Sequence, residues 1–383
     1  MTMVTVTKPS LPPLDEYVEL LADIWDRQWL TNRGHYHEEL EKSLAVYLGV
    51  PYVSLFCNGM IALQVGLQAL KITGEVITTP FSFVATTHAL YWNHCTPVFC
   101  DIDPVTCNLD PTKVESLITP RTTAIMPVHV YGTPCDVEAL QRIADTYGLR
   151  LFYDAAHAFG VHLNGQSVLN FGDLSMLSFH ATKVFNTAEG GALITGDAKL
   201  KQRIDYLKNF GFADEVTVVA PGTNGKMNEL QAALGIVQLR HVDVEIAKRR
   251  EIDALYREEL ADVPGIRLLP ETTSANRNYA YFPIFVNEAC YPLSRDSLYA
   301  ALKGSGFLGR RYFYPLISEF PAYRGLPSSM SLPVAATVSR QVLCLPVYAS
   351  LDCAAARTIC EVIKRPIAKE TLQQSICGGS SLP

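Results

Sequence analysis

The amino-acid sequence predicts an α/β protein: a large domain on a mixed, mostly parallel sheet covered by helices, followed by a smaller α+β domain. Three observations lead there. The chain has 383 residues, room for two or three domains, and its 48% hydrophobic and 18% charged residues supply a large core and argue against long disordered stretches. Short, nearly all-apolar runs alternate with helical patterns over the first 200 residues. Beyond about residue 225 longer helices take over, and the remainder mixes strand-like and helical segments.

Candidate strands lie at 75–79, 97–101, 123–128, 150–154, 174–179 and 192–195, each short and apolar on both faces, as strands buried between helical layers are. Between them 58–70, 136–147 and 200–210 place apolar residues at i, i+3 and i+4, the spacing of one helix face. A helix is expected over 227–239 and a second, charged one over 242–260, with Pro264 breaking the run. Within the second, Lys248, Arg249 and Arg250 read as a solvated face. A strand-like segment follows at 279–286, and the last residues, from Cys377 on, read as a disordered tail. The large domain is placed at 1–240, and a helical connection with the smaller domain at 241–383.

With 32 basic and 38 acidic residues the net charge is −6, which argues against a protein that holds nucleic acid by counterion release. No run of about 18 apolar residues occurs and residues 1–14 lack a signal-like apolar stretch, so a soluble, cytoplasmic protein without a membrane partner is expected. Ten scattered cysteines with no C-x-x-C pair read as reduced, packed thiols. His35 and His37 are followed by Glu38 and Glu39 but lack the second histidine of H-E-x-x-H, and no metal site is expected.

Three places carry chemistry. Asp154 ends an apolar strand, where an open parallel sheet binds ligands; such a carboxylate is either a ligand contact or a cap for the turn, and His157 beside it is equally a packed core histidine. Lys183 lies between two strand-like segments, ahead of the turn Glu189-Gly190-Gly191, a poor setting for a solvated charge. A partly desolvated lysine loses its proton readily and forms a Schiff base with a carbonyl. Pyridoxal phosphate is the carbonyl that needs a lysine, an anionic partner for its ring nitrogen, and phosphate donors. Asp154 supplies the second, and the helix start at Asn58-Gly59-Met60 offers free amides and a dipole for the third. Phe81 and Phe83, just after a strand, offer a lid for the ring.

The strings DAAHAFG and SFHATKxFxTxEGG, the segment VITTPFSFVAT, and Gly222-Thr-Asn224-Gly-Lys226-Met227-Asn-Glu229-Leu-Gln-Ala-Ala-Leu-Gly together resemble the nucleotide-sugar aminotransferases of the DegT/StrS type. The resemblance runs from Trp29 to Tyr348. It implies the pyridoxal-phosphate-dependent aspartate-aminotransferase fold (fold type I), with Lys183 as the cofactor-binding lysine and Asp154 as partner of the ring nitrogen. It further implies His157 near the ring hydroxyl, Phe83 stacked on the ring, Ser178 and Gly59 at the phosphate, and Asn224 reaching the phosphate from the other subunit of a homodimer with shared active sites. Met60 departs from the family's usual threonine, so a side-chain donor is lost while backbone amides remain.

The resemblance also implies that L-glutamate donates the amine and a nucleotide-linked keto sugar receives it. Arg310, Arg311, Tyr314 and Lys226 are the candidate substrate contacts. Within the family the chain resembles enzymes that aminate dTDP-4-keto-6-deoxy-D-glucose at C4, which implies that substrate and a setting of surface polysaccharide or O-antigen synthesis, with C3 or other-nucleotide enzymes as the alternative. A dehydratase of the same fold resembles this chain with histidine in place of Lys183. A non-catalytic regulator would have lost the lysine, the aspartate or the phosphate donors. No G-x-G-x-x-G follows a strand, which leaves an NAD enzyme unsupported.

Overall fold

The computed structural model describes residues 3–271 and 274–377. Residues 378–383 of the expected tail lie outside the described residues, while Cys377 ends a helix. Seven strands form the main sheet: β1 (Tyr52–Phe56), β2 (Glu75–Thr78), β3 (Thr96–Phe99), β4 (Thr122–Met126), β5 (Arg150–Asp154), β6 (Leu174–Ser178) and β7 (Gly191–Thr195). Their order across the sheet is β1-β7-β6-β5-β4-β2-β3. Strand β7 runs antiparallel to β1 and β6, and the other pairings are parallel. The reversal of β7 has a local cause: segment 179–190 holds no helix to carry the chain back along the sheet, as a parallel pairing requires.

The longer helices are α1 (Leu14–Arg27), α2 (His35–Leu48), α3 (Gly59–Ala69), α4 (Ala85–Trp92), α5 (Val137–Tyr147), α6 (Ala198–Leu207), α7 (Glu229–Leu260), α8 (Arg295–Gly304), α9 (Pro333–Gln341) and α10 (Cys353–Cys377). Side chains alternate across each strand. In β5, Phe152 packs into the core under α3, α4 and α6, whereas Leu151 and Tyr153 pack on the opposite face with Val137, Leu140 and Ala144 of α5. In β7, Leu193 joins the α3 side, while Ala192 and Ile194 face Leu40 and Leu44 of α2 and Ala232, Ala233 and Ile236 of α7. Asp154 therefore shares the face of Phe152, toward α3 and α4.

Helix α7 is one helix of 32 residues where two are expected, and residue 240, the expected division of the chain, lies inside it. Asn228 and Gln231 start it with a reciprocal capping box, and no glycine or proline separates 239 from 242. Its second half (Ile252, Leu255, Tyr256, Leu260) packs in a separate core with α8, α10 and a three-stranded antiparallel sheet, β8 (Ile266–Leu268), β9 (Phe282–Val286) and β10 (Val342–Leu345). Arg249 corrects the expected solvated face: it is 1% exposed and donates to the Val347 carbonyl at 3.1 Å, while Lys248 and Arg250 stay exposed. Burial pulls its guanidinium down to about 10. A triplet of charges looks like surface in a sequence, but a helix turns 100° per residue and points the middle one inward.

Because β7 alone is reversed, the C-terminal ends of β1, β2, β4, β5 and β6 and the start of β7 meet at one edge of the sheet. Among the described residues no helix is long and apolar enough to cross a membrane. The layers approach closely at Gly66 of α3, where a Cβ would lie 2.6 Å from Phe152 Cζ and 2.9 Å from Leu174 Cδ2. Gly66→Ala should therefore destabilise the fold by about 1–3 kcal/mol through overpacking, although alanine favours a helix over glycine by roughly 1 kcal/mol. Urea unfolding checks this; a variant as stable as the parent would mean that the helix does not press on the sheet.

Candidate active site

The strand ends enclose a cavity of about 560 Å³ that contains both Asp154 and Lys183. Asp154, the last residue of β5, is 4% exposed. Its carboxylate accepts from the Thr86 hydroxyl of α4 at 2.7 Å and from the Ala156 amide at 3.1 Å. Burial raises its pKa, against the lowering effect of those two hydrogen bonds and of the Lys183 charge. Thr86 is a site residue that sequence reasoning missed, although it ends the quoted segment VITTPFSFVAT.

Lys183 sits in the β6–β7 connection, which folds back on itself through Phe179 N–H to Gly190 O (2.9 Å), Ala181 N–H to Ala188 O (2.7 Å) and Thr187 N–H to Phe179 O (2.9 Å). Gly191 closes the loop against the neighbouring helix start: a Cβ there would lie 2.9 Å from the backbone of Asn58 and Gly59. The Lys183 side chain is half-buried, with Nζ 5.9 Å from the centre of the Tyr281 ring. Desolvation lowers its pKa to about 8, with the Asp154 charge opposing the shift.

The Gly59 end of the cavity is polar. Asn58 caps α3 by accepting from the Ile61 amide at 2.9 Å, which leaves the amides of Gly59 and Met60 in the first turn, where helix geometry offers no acceptor. Ser178, at the end of β6, faces them: a Cβ on Gly59 would stand 3.4 Å from its Oγ. Met60 lines the cavity beside Gly59.

His157 also lines the cavity and is 6% exposed. The Tyr131 amide donates to its Nδ1 at 3.3 Å, which assigns the proton to Nε2, and burial holds its pKa well down, so the ring is a neutral donor. It lies parallel to Phe313 (3° between planes, centroids 6.1 Å apart) and 4.8 Å from the Tyr281 ring. Phe83 lines the cavity while 52% exposed. Arg310 lines it too, with its guanidinium 4.3 Å from the Tyr312 ring centre. Tyr281 was missed from the sequence, where it carries no local pattern, and Tyr312 and Phe313, next to the expected contacts Arg310 and Arg311, had no role assigned to them.

Four expected residues stand apart from this cavity. Arg311 is held by Asp296 at 2.9 Å and packs over Tyr299, and Tyr314 lies under Arg295, 4.6 Å from its guanidinium. Asn224 is exposed, and Lys226 donates to Asn209 Oδ1 at 2.7 Å on the wall of a different, outer pocket. Within one chain these positions have no access to Lys183.

The cavity suits pyridoxal phosphate on its own chemistry: a buried carboxylate for a cationic ring nitrogen, a partly deprotonated amine, amides and a hydroxyl for the phosphate. Capture of a carbonyl requires the neutral amine, whose share grows as pH rises through about 8 for Lys183. The rate at which protein stripped of cofactor gains a lysine-bound visible absorbance on adding pyridoxal phosphate should rise from pH 6.5 and level off above pH 8.5. A rate still climbing at pH 10 would assign an ordinary, solvated lysine.

Known proteins are similar to this chain in sequence and in fold. A dTDP-4-amino-4,6-dideoxy-D-glucose transaminase of Escherichia coli is 53% identical over 352 residues, covering 91% of this chain and 95% of that protein. The enzyme of the same description from Shigella dysenteriae is 50% identical over 91% of this chain and 94% of its own length. The crystal structure of DesI in the presence of its TDP-sugar product superposes with a TM-score of 0.92 at 38% identity, over 98% of this chain and 96% of that one. NtdA from Bacillus subtilis with bound cofactor PMP superposes with a TM-score of 0.85 at 28% identity, over 93% of this chain and 82% of that one. Residues 14–364 match the family model that spans Asp154, Lys183 and every strand described above, and the chain belongs to the DegT/DnrJ/EryC1/StrS aminotransferase family.

Proposed function

We propose that the protein moves the amino group of L-glutamate to C4 of dTDP-4-keto-6-deoxy-D-glucose, giving dTDP-4-amino-4,6-dideoxy-D-glucose, as a cytoplasmic homodimer with shared sites. The observation that carries the reaction is the single cavity uniting Asp154, Lys183 and the start of α3. The sugar and nucleotide rest on the likeness to the two transaminases that are 50–53% identical.

Pyridoxal phosphate is the cofactor, and when bound it supplies the sink for electrons released at the carbon bearing the amine. The chain does the rest. Lys183 would hold the cofactor through Nζ, and the same amine, with its pKa lowered to about 8 by burial, is the base that would take the proton from the amine-bearing carbon and deliver it to the neighbouring carbon of the 1,3-shift. Asp154 holds negative charge against the ring nitrogen throughout, in a site too dry for water to screen it. His157, neutral with its proton on Nε2, would donate to the ring hydroxyl. The Gly59 and Met60 amides and Ser178 anchor the phosphate, with Asn224 of the second subunit completing that anchor. Arg310 has no carboxylate partner within 4.0 Å among the described residues, and it offers its charge to the anionic donor and acceptor substrates.

Incubation with L-glutamate and dTDP-4-keto-6-deoxy-D-glucose should yield 2-oxoglutarate and a sugar whose NMR spectrum places the amine on C4. An amine on C3, or turnover only with a UDP- or GDP-linked sugar, would reject this substrate while keeping the family's reaction. Lys183→Ala should lose turnover by at least about a thousandfold with its unfolding midpoint unchanged, since no other group takes over the proton transfer. Retained turnover would remove Lys183 from the mechanism.

A further inference from the structure

We infer that segment 223–226 is braced against the phosphate-binding end of its own chain's cavity, so that one stretch of backbone positions the cofactor phosphate in both sites of the dimer. Gly225 is then a positioning residue for its own site and, through Asn224, for the site of the other subunit. The inference rests on the proposed shared-site dimer.

Gly225 is buried between the two elements that form its own chain's cup. Its carbonyl accepts from the Cys57 amide at 2.8 Å, directly before the capping residue Asn58. A Cβ on Gly225 would lie 2.8 Å from Ile61 Cγ2 and 3.1 Å from Phe56 Cδ1. Phe56 ends β1, and Ile61 belongs to the first turn of α3, whose amide Asn58 holds. The segment is thus pressed onto the residues that aim the Gly59 and Met60 amides into the cavity. Gln231 ties the same place to the lysine loop, donating to the Glu189 carbonyl at 2.6 Å and to the Cys57 carbonyl at 3.4 Å.

The opposite edge of the segment is fastened as firmly. Gly225 N–H donates to Lys208 O at 2.9 Å, Thr223 N–H to Leu207 O at 2.8 Å, and Phe210 N–H to Thr223 O at 3.0 Å. Lys208, 1% exposed, is pinned by Glu41 of α2 at 3.1 Å and Asp205 at 3.0 Å. Asn224 stands at the crest, exposed, and makes no side-chain hydrogen bond to the described residues. Its position is set entirely by backbone contacts whose inner face is the phosphate cup of its own subunit.

Heterodimers in which one chain carries Lys183→Ala test this, because only one site then holds the cofactor covalently. Titrating stripped heterodimer with pyridoxal phosphate, and reading the lysine-bound absorbance, gives the affinity of that site. Gly225→Val should weaken it whether placed on the chain that owns the site or on the other, by about fivefold or more, the equivalent of one lost hydrogen bond. Asn224→Ala on the other chain should weaken it similarly. An effect of Gly225→Val confined to the chain that owns the site, with Asn224→Ala still felt across the interface, would overturn the inference alone. No effect of Asn224→Ala from the other chain would overturn it together with the shared-site reading. Gly225→Ala, with one methyl fewer to accommodate, should reproduce the pattern at smaller amplitude if the valine variant fails to form dimers.

Discussion

A carboxylate is costly to bury, and Asp154 is buried at the end of the central strand with one hydroxyl and one amide as donors. Its raised pKa and the lowered pKa of Lys183 share one cause, desolvation by burial, which the attraction between the two groups only partly offsets. A ligand with a cationic ring nitrogen and an aldehyde relieves both at once. The aspartate would gain a counter-charge, and the lysine would be held in a covalent bond instead of as a desolvated ammonium.

The sheet makes that pairing possible. Six strands deliver their C-terminal ends to one edge, and the lysine loop, a direct connection from the end of β6 into the reversed β7, stays at that edge. Close packing sets the tolerance: neither Gly191 against Gly59 nor Gly225 against Ile61 leaves room for a methyl group without movement. The GTNGKMNELQ stretch is structural as much as functional. Buried Glu229 accepts from the amides of Tyr36 and His37 at 2.8 and 2.9 Å and so caps α2, while Gln231 ties α7 to the lysine loop.

Asp154 and Lys183 stood out in the sequence because a charged residue at or shortly after the end of an apolar strand has few roles, and Gly59 because it opens a helix after one; Ser178 was named from the resemblance. Apolar periodicity also located strands β2 to β7 to within one or two residues. It was silent on the direction of β7, since a fully buried strand reads the same whichever way it runs. Arg249 was misread because burial of one charge in three depends on helix phase and on a carbonyl 98 residues away. Tyr281, Tyr312 and Phe313 line the cavity beside His157, from segments that meet it only in the folded chain. Asn224 and Lys226 could be named from the resemblance, but their distance from their own chain's cavity is a property of three dimensions.

The charge on Asp154 is the centre of the account, and replacing it by an amide of the same shape isolates it. Asp154→Asn and the parent, both loaded with pyridoxal phosphate, should be followed by stopped-flow absorbance as L-glutamate and then dTDP-4-keto-6-deoxy-D-glucose are added. The parent should lose its visible band with glutamate and regain it with the sugar, while the variant binds cofactor yet bleaches at least about a hundredfold more slowly, the scale of removing one preorganised charge from a dry site. Bleaching of Asp154→Asn at the parent's rate would show that the electron sink is sustained by another group, and would contradict the account at its root.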